Sequence, residues 1–582
     1  MSRGVEIQNA LPPEYIREPV ITGAKSVLRK TTHVYNPIEP GSYTSRDGKR
    51  IRFLISSTSD ILIGKESYFE FKLTITAGGV NALIHDYCFE ELGIEAFIRR
   101  LDVRAAAQGS LIEDADQYNR YNILMSNLHD TPIKIESLCA ASGDSLHPYI
   151  GQCKDSLGVR DNQRQYGGVG ANTFLADAAT GRIVYTGVPQ ANGALGGNHL
   201  QPGHKIILSP RDGAAGDVSV SNVVAVTSNP LVRTELIVTP PPAAGATETS
   251  HKMVITDYSP AARNCTPQGT QSKTYTFRLR SEILKKNLPL PLLSAGLLIE
   301  MELEDANIAL HKITSVNSGT DITFAITEPR FYAVLSTPSP SILEDFIMHF
   351  RSEHGLNYHM LQYRYKRLVD TTGAGTFTSQ VNIGPRSVRK IYITAVPSSI
   401  SEGRGAPQRR CASLSTYINS HIDTYQAYIG SKQVPLREVD CGMQPVRAYM
   451  HLQNVAEKQL SPFRFPQHHF WPRNEVIVYE GADATAVDEL QHENAAKKFI
   501  MGFDLSRVSG PAGVLSGDDL SVVTFDVRFT RYADNSATLT TDSKTGVTQM
   551  HGRPMPNNVV FHLYAIHDAF LRISSSNITL SK

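Results

Sequence analysis

The sequence predicts an all-β protein: two antiparallel β-sandwiches in tandem, with long inserted loops and a few short helices. Three observations carry this. Apolar and polar residues alternate with period two in segments spread over all 582 residues, the mark of strands with one dry and one wet face. Helical spacing is rare and never follows a strand at the interval a βαβ unit needs, which argues against a parallel α/β enzyme fold. The length exceeds one ordinary domain, and each half closes on a strong apolar strand.

Residues 1–44 hold Pro12, Pro13, Pro19, Pro37 and Pro40 with little alternation, and are expected to form an extended N-terminal arm. In Tyr68 to Thr76 (YFEFKLTIT), Phe69, Phe71, Leu73 and Ile75 point one way and Glu70, Lys72 and Thr74 the other, a half-buried strand. Asp114 to Asn127 has helical spacing at Ala115, Tyr118, Tyr121 and Met125. From about 140 to 265 the composition turns to Gly, Ala, Pro and Thr. A structureless loop of that length is out of place in a compact domain. Its apolar stretches, Lys205 to Ser209 and Val218 to Thr239, predict a small β-elaboration inserted between two strands of the first sandwich.

Leu297, Ile299, Met301 and Leu303 alternate with Leu298, Glu300, Glu302 and Glu304, and the first half closes on Ile322 to Thr327 and Phe331 to Val334. Pro340 to His354 reads as a helix with Ile342, Leu343, Phe346, Ile347 and Phe350 on one stripe and Gly355 as its stop. An irregular region, Pro397 to Ser415, sits where a counterpart of the first excursion is expected. Val523, Phe525, Val527 and Phe529 alternate with polar residues, and the second half closes on Asn558 to Ile566 and Ala569 to Ile573.

Composition narrows the function. Hydrophobic residues make up 41% and charged residues only 19%, the latter below the usual quarter or so. With 42 Gly, 32 Pro and 24 Tyr, this suits a loop-rich β-protein whose surface is largely covered by neighbours. A net charge of +1 disfavours electrostatic condensation of nucleic acid, and no sequence-specific nucleic-acid binding is expected. No run of about 18 apolar residues spans a bilayer, and the N-terminal residues lack a signal peptide's apolar core. Cys88, Cys139, Cys153, Cys265, Cys411 and Cys441 form no CxxC pair, so free thiols are expected.

Motifs for catalysis are missing: GxxxxGK[ST], HExxH and GxSxG do not occur in a usable context. No cofactor, metal or catalytic residue is assigned, and the chain is read as a non-enzyme. His468 and His469, between prolines and aromatics, read as a packed turn rather than metal ligands; His349, His354 and His359, spaced by five, read as exposed or capping. Alternation places Glu300, Glu302 and Glu304 on one strand face, where repulsion is relieved by Lys, Arg or a cation; a solvated or Arg-paired face is preferred over a cation site. Arg99, Arg100 and Arg104 form a basic patch beside Asp102, an ordinary solvated stripe in a lone domain and a candidate inter-subunit contact in an assembly.

Three segments together carry a family resemblance: Phe97 to Val103 (FIRRLDV) through Gly109 to Ile112 and Tyr118 to Tyr121; Leu284 to Leu293 (LKKNLPLPLL) followed by Leu297 to Leu303 and Ala306 to Leu310; and Tyr425 to Pro435 (YQAYIGSKQVP). In this order the chain resembles the double-jelly-roll major capsid proteins of polinton-like viruses and virophages, within the adenovirus-like lineage of double-stranded DNA viruses. The resemblance implies an icosahedral virion built of pseudo-hexagonal trimeric capsomers. Partners would be further copies of the chain, penton and minor capsid proteins, and a host receptor at crown loops formed by the 140–265 excursion; an internal membrane is left open. It implies domains at 45–337 and 338–582 after the arm. It also implies a sandwich corner at Leu288 to Leu293, where Pro289 and Pro291 lack donors, and a corresponding turn at Gly430 to Pro435. The competing readings are a surface or secreted adhesin that binds glycans, a penton-type minor capsid protein, and a glycoside-acting enzyme.

Overall fold

The computed structural model describes residues 27–44, 50–77, 87–106, 109–130, 272–293, 295–312, 322–351, 356–370, 375–397, 422–442, 444–458, 498–506, 517–531, 559–573 and 578–581, with the excursion strands named below and a few single residues and short stretches between. Among these residues, strands dominate.

The first half contributes β1 (Val27–Tyr35), β2 (Ile51–Ile55), β3 (Tyr68–Ala77), β4 (Ile98–Ala105), β5 (Leu111–Ala115), β6 (Lys273–Phe277), β7 (Leu297–Leu303) and β8 (Ile322–Pro338). They form two antiparallel sheets, β1-β8-β3-β6 and β2-β7-β4-β5. The second half contributes β9 (Leu356–Asp370), β10 (Gly375–Val381), β11 (Val388–Pro397), β12 (Ile422–Ile429), β13 (Lys432–Asp440), β14 (Ile500–Asp504), β15 (Phe525–Arg531) and β16 (Val559–Ile573). Their sheets are β9-β16-β11-β14 and β10-β15-β12-β13. Adding eight to each strand number of the first half reproduces the second. Each is a jelly roll, in which strand one lies beside eight and two beside seven. The duplication hinted at by the sequence is therefore a duplication of topology.

The alternating segments do what their pattern dictates. β7 shows strict buried and half-buried alternation from Leu297 to Leu303, and Phe69, Phe71, Leu73 and Ile75 of β3 are all buried. Aromatic rings close the first core: Phe69 and Phe331 lie 4.4 Å apart between centroids, Phe53 and Phe69 5.5 Å, and Phe97 and Phe324 4.6 Å. Phe529 and Phe561 at 4.8 Å and Phe503 and Phe525 at 5.5 Å do the same in the second. Such pairs favour tilted or edge-to-face geometry because of the ring quadrupole. The turn into β7 needs Gly296: its φ is +89°, and a Cβ would stand 1.9 Å from the Ile55 carbonyl oxygen.

Among the described residues, three α-helices longer than four residues decorate the sandwiches: α1 (Tyr118–His129) after β5, α2 (Pro340–Arg351) between the halves, and α3 (Pro445–Val455) after β13. The excursion between β5 and β6 builds its own antiparallel sheet, in the order His251–Thr256, Lys205–Pro210, Ser219–Asn229, Arg233–Thr239, Arg182–Thr186, Thr173–Asp177. Strand register gives the sandwiches two different ends. Val27 faces Pro338 and Leu356 faces Ile573, so the start of β1, α2 and the terminal strand Ile578–Ser581 share one end. At the other end Ala77 faces Ile322 and both Asp370 and Pro397 face Val559. The chain re-enters β6 and β14 from that side, at Lys273 and Ile500.

Several expectations need correction. The extended arm does not reach residue 44: Val27–Tyr35 is an edge strand paired along β8, and Tyr43 is buried against Ile326. Its alternation is blurred because an edge strand has one flank in water, where Arg29, Lys30 and His33 are exposed. Residues 1–26 lie outside the described residues. The first helix starts at Tyr118 rather than Asp114, since Asp114 and Ala115 pair with Asp102 and Leu101. Pro397 to Ser415 follows β11, whereas the 140–265 excursion follows β5; its true counterpart is the connection from β13 to β14. Likewise Gly430, at φ +58°, makes the β12–β13 hairpin, whose counterpart is residues 106–110 between β4 and β5 and not Leu288 to Leu293. The latter segment makes an edge pairing of Asn287–Pro289 with Ile61–Ile63, then one 3-10 turn.

Candidate functional site

Two surfaces bring charged or aromatic residues together: the outer face of sheet β2-β7-β4-β5, and the junction of the two sandwiches. On the first, register sets Glu300 between Arg52 and Asp102, and Glu302 beside Arg100. Arg104 reaches Glu300 at 3.1 Å and Asp102 at 3.1 Å; Arg100 reaches Asp102 and Asp114, each at 3.0 Å. Arg99 and Arg50 hold Glu302 at 3.4 and 3.3 Å, and Arg52 holds Glu300 at 3.4 Å. The expected Arg-paired face is what forms. Glu304 is the exception: past the strand end it is buried, accepting a hydrogen bond from Asn119 Nδ2 at 2.9 Å. The Asp102 carboxylate is nearly inaccessible while the arginines are partly exposed, so the acids sit under a cationic rim. Among the described residues no group of three or more His, Cys, Asp and Glu is placed to hold a metal.

The junction is built by β5, α1 and the connection after β6, packed on β9 and β16. Tyr121 of α1 stacks on Tyr363 of β9, 3.6 Å between centroids, and stands 5.8 Å from Tyr564 of β16. Gln362 Nε2 donates to the Ile112 carbonyl and Tyr363 Oη to that of Asp116, both at 2.8 Å. Tyr358 Oη donates to the Asn287 carbonyl at 3.1 Å. Because α1 covers it, β16 is buried on both faces over its first eleven residues. Burial, with the charges of Glu282 and Glu113 behind it, drives the Tyr121 phenol far above its ordinary range. A cavity of about 750 Å³ lies beside α1, lined by Glu113, Tyr118, Tyr121, Met125, Arg278 and Gln362 among others. Its buried carboxylate is occupied: Glu113 accepts from Ser281 Oγ and from the backbone N–H groups of Glu282 and Ile283.

A buried ion pair locks the same junction further along. Lys498 Nζ lies 2.7 Å from Glu91 Oε1 and donates to the Ser415 carbonyl, with both charged side chains 6% exposed. Glu91 also accepts from Asn127 of α1, and Glu90 accepts from Ser415 Oγ and Leu414 N–H. None of these was singled out in the sequence; the only signal was the tyrosine-rich run Tyr358 to Tyr365, whose partners lie in the other half.

The residue types of a hydrolytic triad do meet, but not in working order. Ser387 Oγ donates to Asp568 Oδ2 at 2.7 Å, and His359 Nε2 lies 2.7 Å from Asp568 Oδ1. Nucleophile activation needs the serine hydroxyl on the imidazole; here the carboxylate stands between them, and the trio ties β9, β16 and the approach to β11. His359 is thus paired with a buried acid rather than exposed or capping. His354, His468 and His469 fall outside the described residues, as does the side chain of His349. The Cys441 thiol is free and buried, which pushes its pKa up; Cys139, Cys153, Cys265 and Cys411 lie outside the described residues.

No protein-family model matches the chain, and no curated protein matches it in sequence. Solved structures do. A chain of the Sputnik virophage, seen by cryo-EM, matches at 12% identity and TM-score 0.42, over 97% of this chain and 90% of that one. The Faustovirus major capsid protein matches at 10% and 0.49, over 95% and 92%. The mavirus major capsid protein matches at 8% and 0.40, over 100% and 95%. Likenesses at this level bear on no more than the fold, which strand pairing already establishes.

Proposed function

We propose that the chain is the major capsid protein of an icosahedral double-stranded DNA virus, acting as a trimer whose six jelly rolls form one pseudo-hexagonal capsomer. One observation carries the reading: the chain repeats a whole jelly roll with identical sheet order, side by side with its twin and with unlike ends. Such a unit suits a wall. Lateral faces are available for further copies, while connections such as the β5–β6 excursion gather at one end and α2 with the start of β1 at the other. Under this reading the excursion end faces outward, towards a receptor, and the α2 end inward, towards minor and penton proteins. The domain division falls between Pro338 and Pro340, with β1 belonging to the first unit. Arg99, the most exposed of the three arginines, is the one with surface left for a neighbour; Arg100 and Arg104 serve chiefly to neutralise Asp102, Asp114 and Glu300.

Light scattering on the purified protein tests this first. Three chain masses are expected, with hexagonal outlines in negative stain and closed particles on concentration. A monomer at all concentrations, without particles, refutes the reading and would favour the adhesin alternative.

A further inference from the structure

The duplication makes it possible to ask which contact inside the chain has no counterpart. Strands β8 and β16 are equivalent, each lying between the first and third strands of its sheet. In the second sandwich Tyr564 pairs across the sheet with Tyr365 and Tyr392, an outer-face row in which Tyr564 and Tyr392 are buried and Tyr121 of α1 stands 5.8 Å from Tyr564. In the first sandwich an outer-face row on the corresponding three strands holds Tyr332, Val34 and Tyr68. The rings of Tyr68 and Tyr332 are stacked at 4.7 Å. Among the described residues no helix lies over this row as α1 lies over Tyr564: Val34 is 51% exposed and Tyr332 half-buried. Paired charges rim it, with Arg330, Glu70, Glu328 and Lys72 on one side and Lys30 with Glu66 on the other. An apolar centre within a polar rim is the anatomy of a protein interface.

The matching element is equally plain. Helix α1 follows the fifth strand of the first sandwich and lays Tyr121, four residues before Met125, on the second. Helix α3 follows the fifth strand of the second sandwich. Its inner side, Ala448, Leu452 and Val455, is buried, with Leu452 and Val455 against Gly502 of β14. Its outer side shows Val446 at 50% and Met450 at 57%, also four apart, and the adjoining β13 adds Leu436 at 83%. Of ten exposed large apolar side chains among the described residues, four belong to these two patches.

We infer that Val446 and Met450 of α3, with Leu436, dock on the Val34–Tyr332–Tyr68 row of a second copy, repeating between chains the contact that α1 makes on Tyr564 within one. This rests on the capsomer reading and specifies its interface. The contact joins two different patches, so it builds a closed ring or an open chain according to the rotation it imposes.

Sedimentation of Met450→Glu, Val446→Glu and Val34→Glu against the unaltered protein tests it. Each residue is exposed, so far-UV circular dichroism and melting should be unchanged, while the concentration for half-dissociation rises by at least about tenfold. Independently, a Val34→Cys chain mixed with a Met450→Cys chain should be joined by a short bis-maleimide across chains, and neither should be joined when alone. If the unaltered protein is oligomeric and neither test responds, the docking is wrong and the capsomer reading stands. If the unaltered protein never associates, both fall.

Discussion

Replacing Lys498 with Met isolates the electrostatic lock between the sandwiches. The ammonium is almost wholly buried, 2.7 Å from the Glu91 carboxylate, and lies 5.5 Å from the centre of the Tyr417 ring. Methionine fills a similar volume, so the dominant loss is charge: Glu91 keeps its Asn127 amide but must hold a buried anion without the lysine. Removing one member of such a pair costs about 3–5 kcal/mol, whereas replacing both is far milder. Lys498→Met should therefore destabilise the protein by that amount, and Lys498→Met with Glu91→Gln should recover more than half of it. The assay is urea unfolding followed by far-UV circular dichroism, read as a double-mutant cycle. A cost under about 1 kcal/mol, or simple additivity, would refute a buried, mutually dependent pair.

Two further outcomes follow from the junction. Tyr121→Ala removes the ring stacked on Tyr363 and opens a void against Tyr564; a loss of roughly 3 kcal/mol is expected, and a loss below about 1 kcal/mol in urea unfolding would show that α1 is not anchored there. His562 is buried, and burial first, then the Arg120 and Arg367 charges, hold its pKa well below 6.5. Its folded pKa is depressed, so the unfolded chain takes up the proton first as pH falls below about 6.5, and stability is lost in that direction. Between pH 7 and 5 the unaltered protein should lose more stability than His562→Gln, which can still bond Tyr365 Oη; equal acid sensitivity would contradict this.

The sequence by itself determined the kind of structure and much of its segmentation. Period-two runs such as Tyr68–Thr76 and Leu297–Leu303 are local signals, because a strand between core and water records both environments in alternate residues. The inserted excursion was legible in its composition, and the Arg-paired carboxylate face in the parity of Glu300 and Glu302. What the local pattern could not carry is partnership. β1 reads as arm because an edge strand with Arg29, Lys30 and His33 in water lacks a full dry stripe. The excursions were matched wrongly between halves because their equivalence lies in which strands they join. The pairing of Tyr121 with Tyr363, and of Lys498 with Glu91, is not legible for the same reason: it depends on long-range neighbours. Tertiary structure alone decided that Tyr564 of β16 is covered while Tyr332 of the equivalent strand β8 is half open, because equivalent strands differ in what the rest of the chain lays over them.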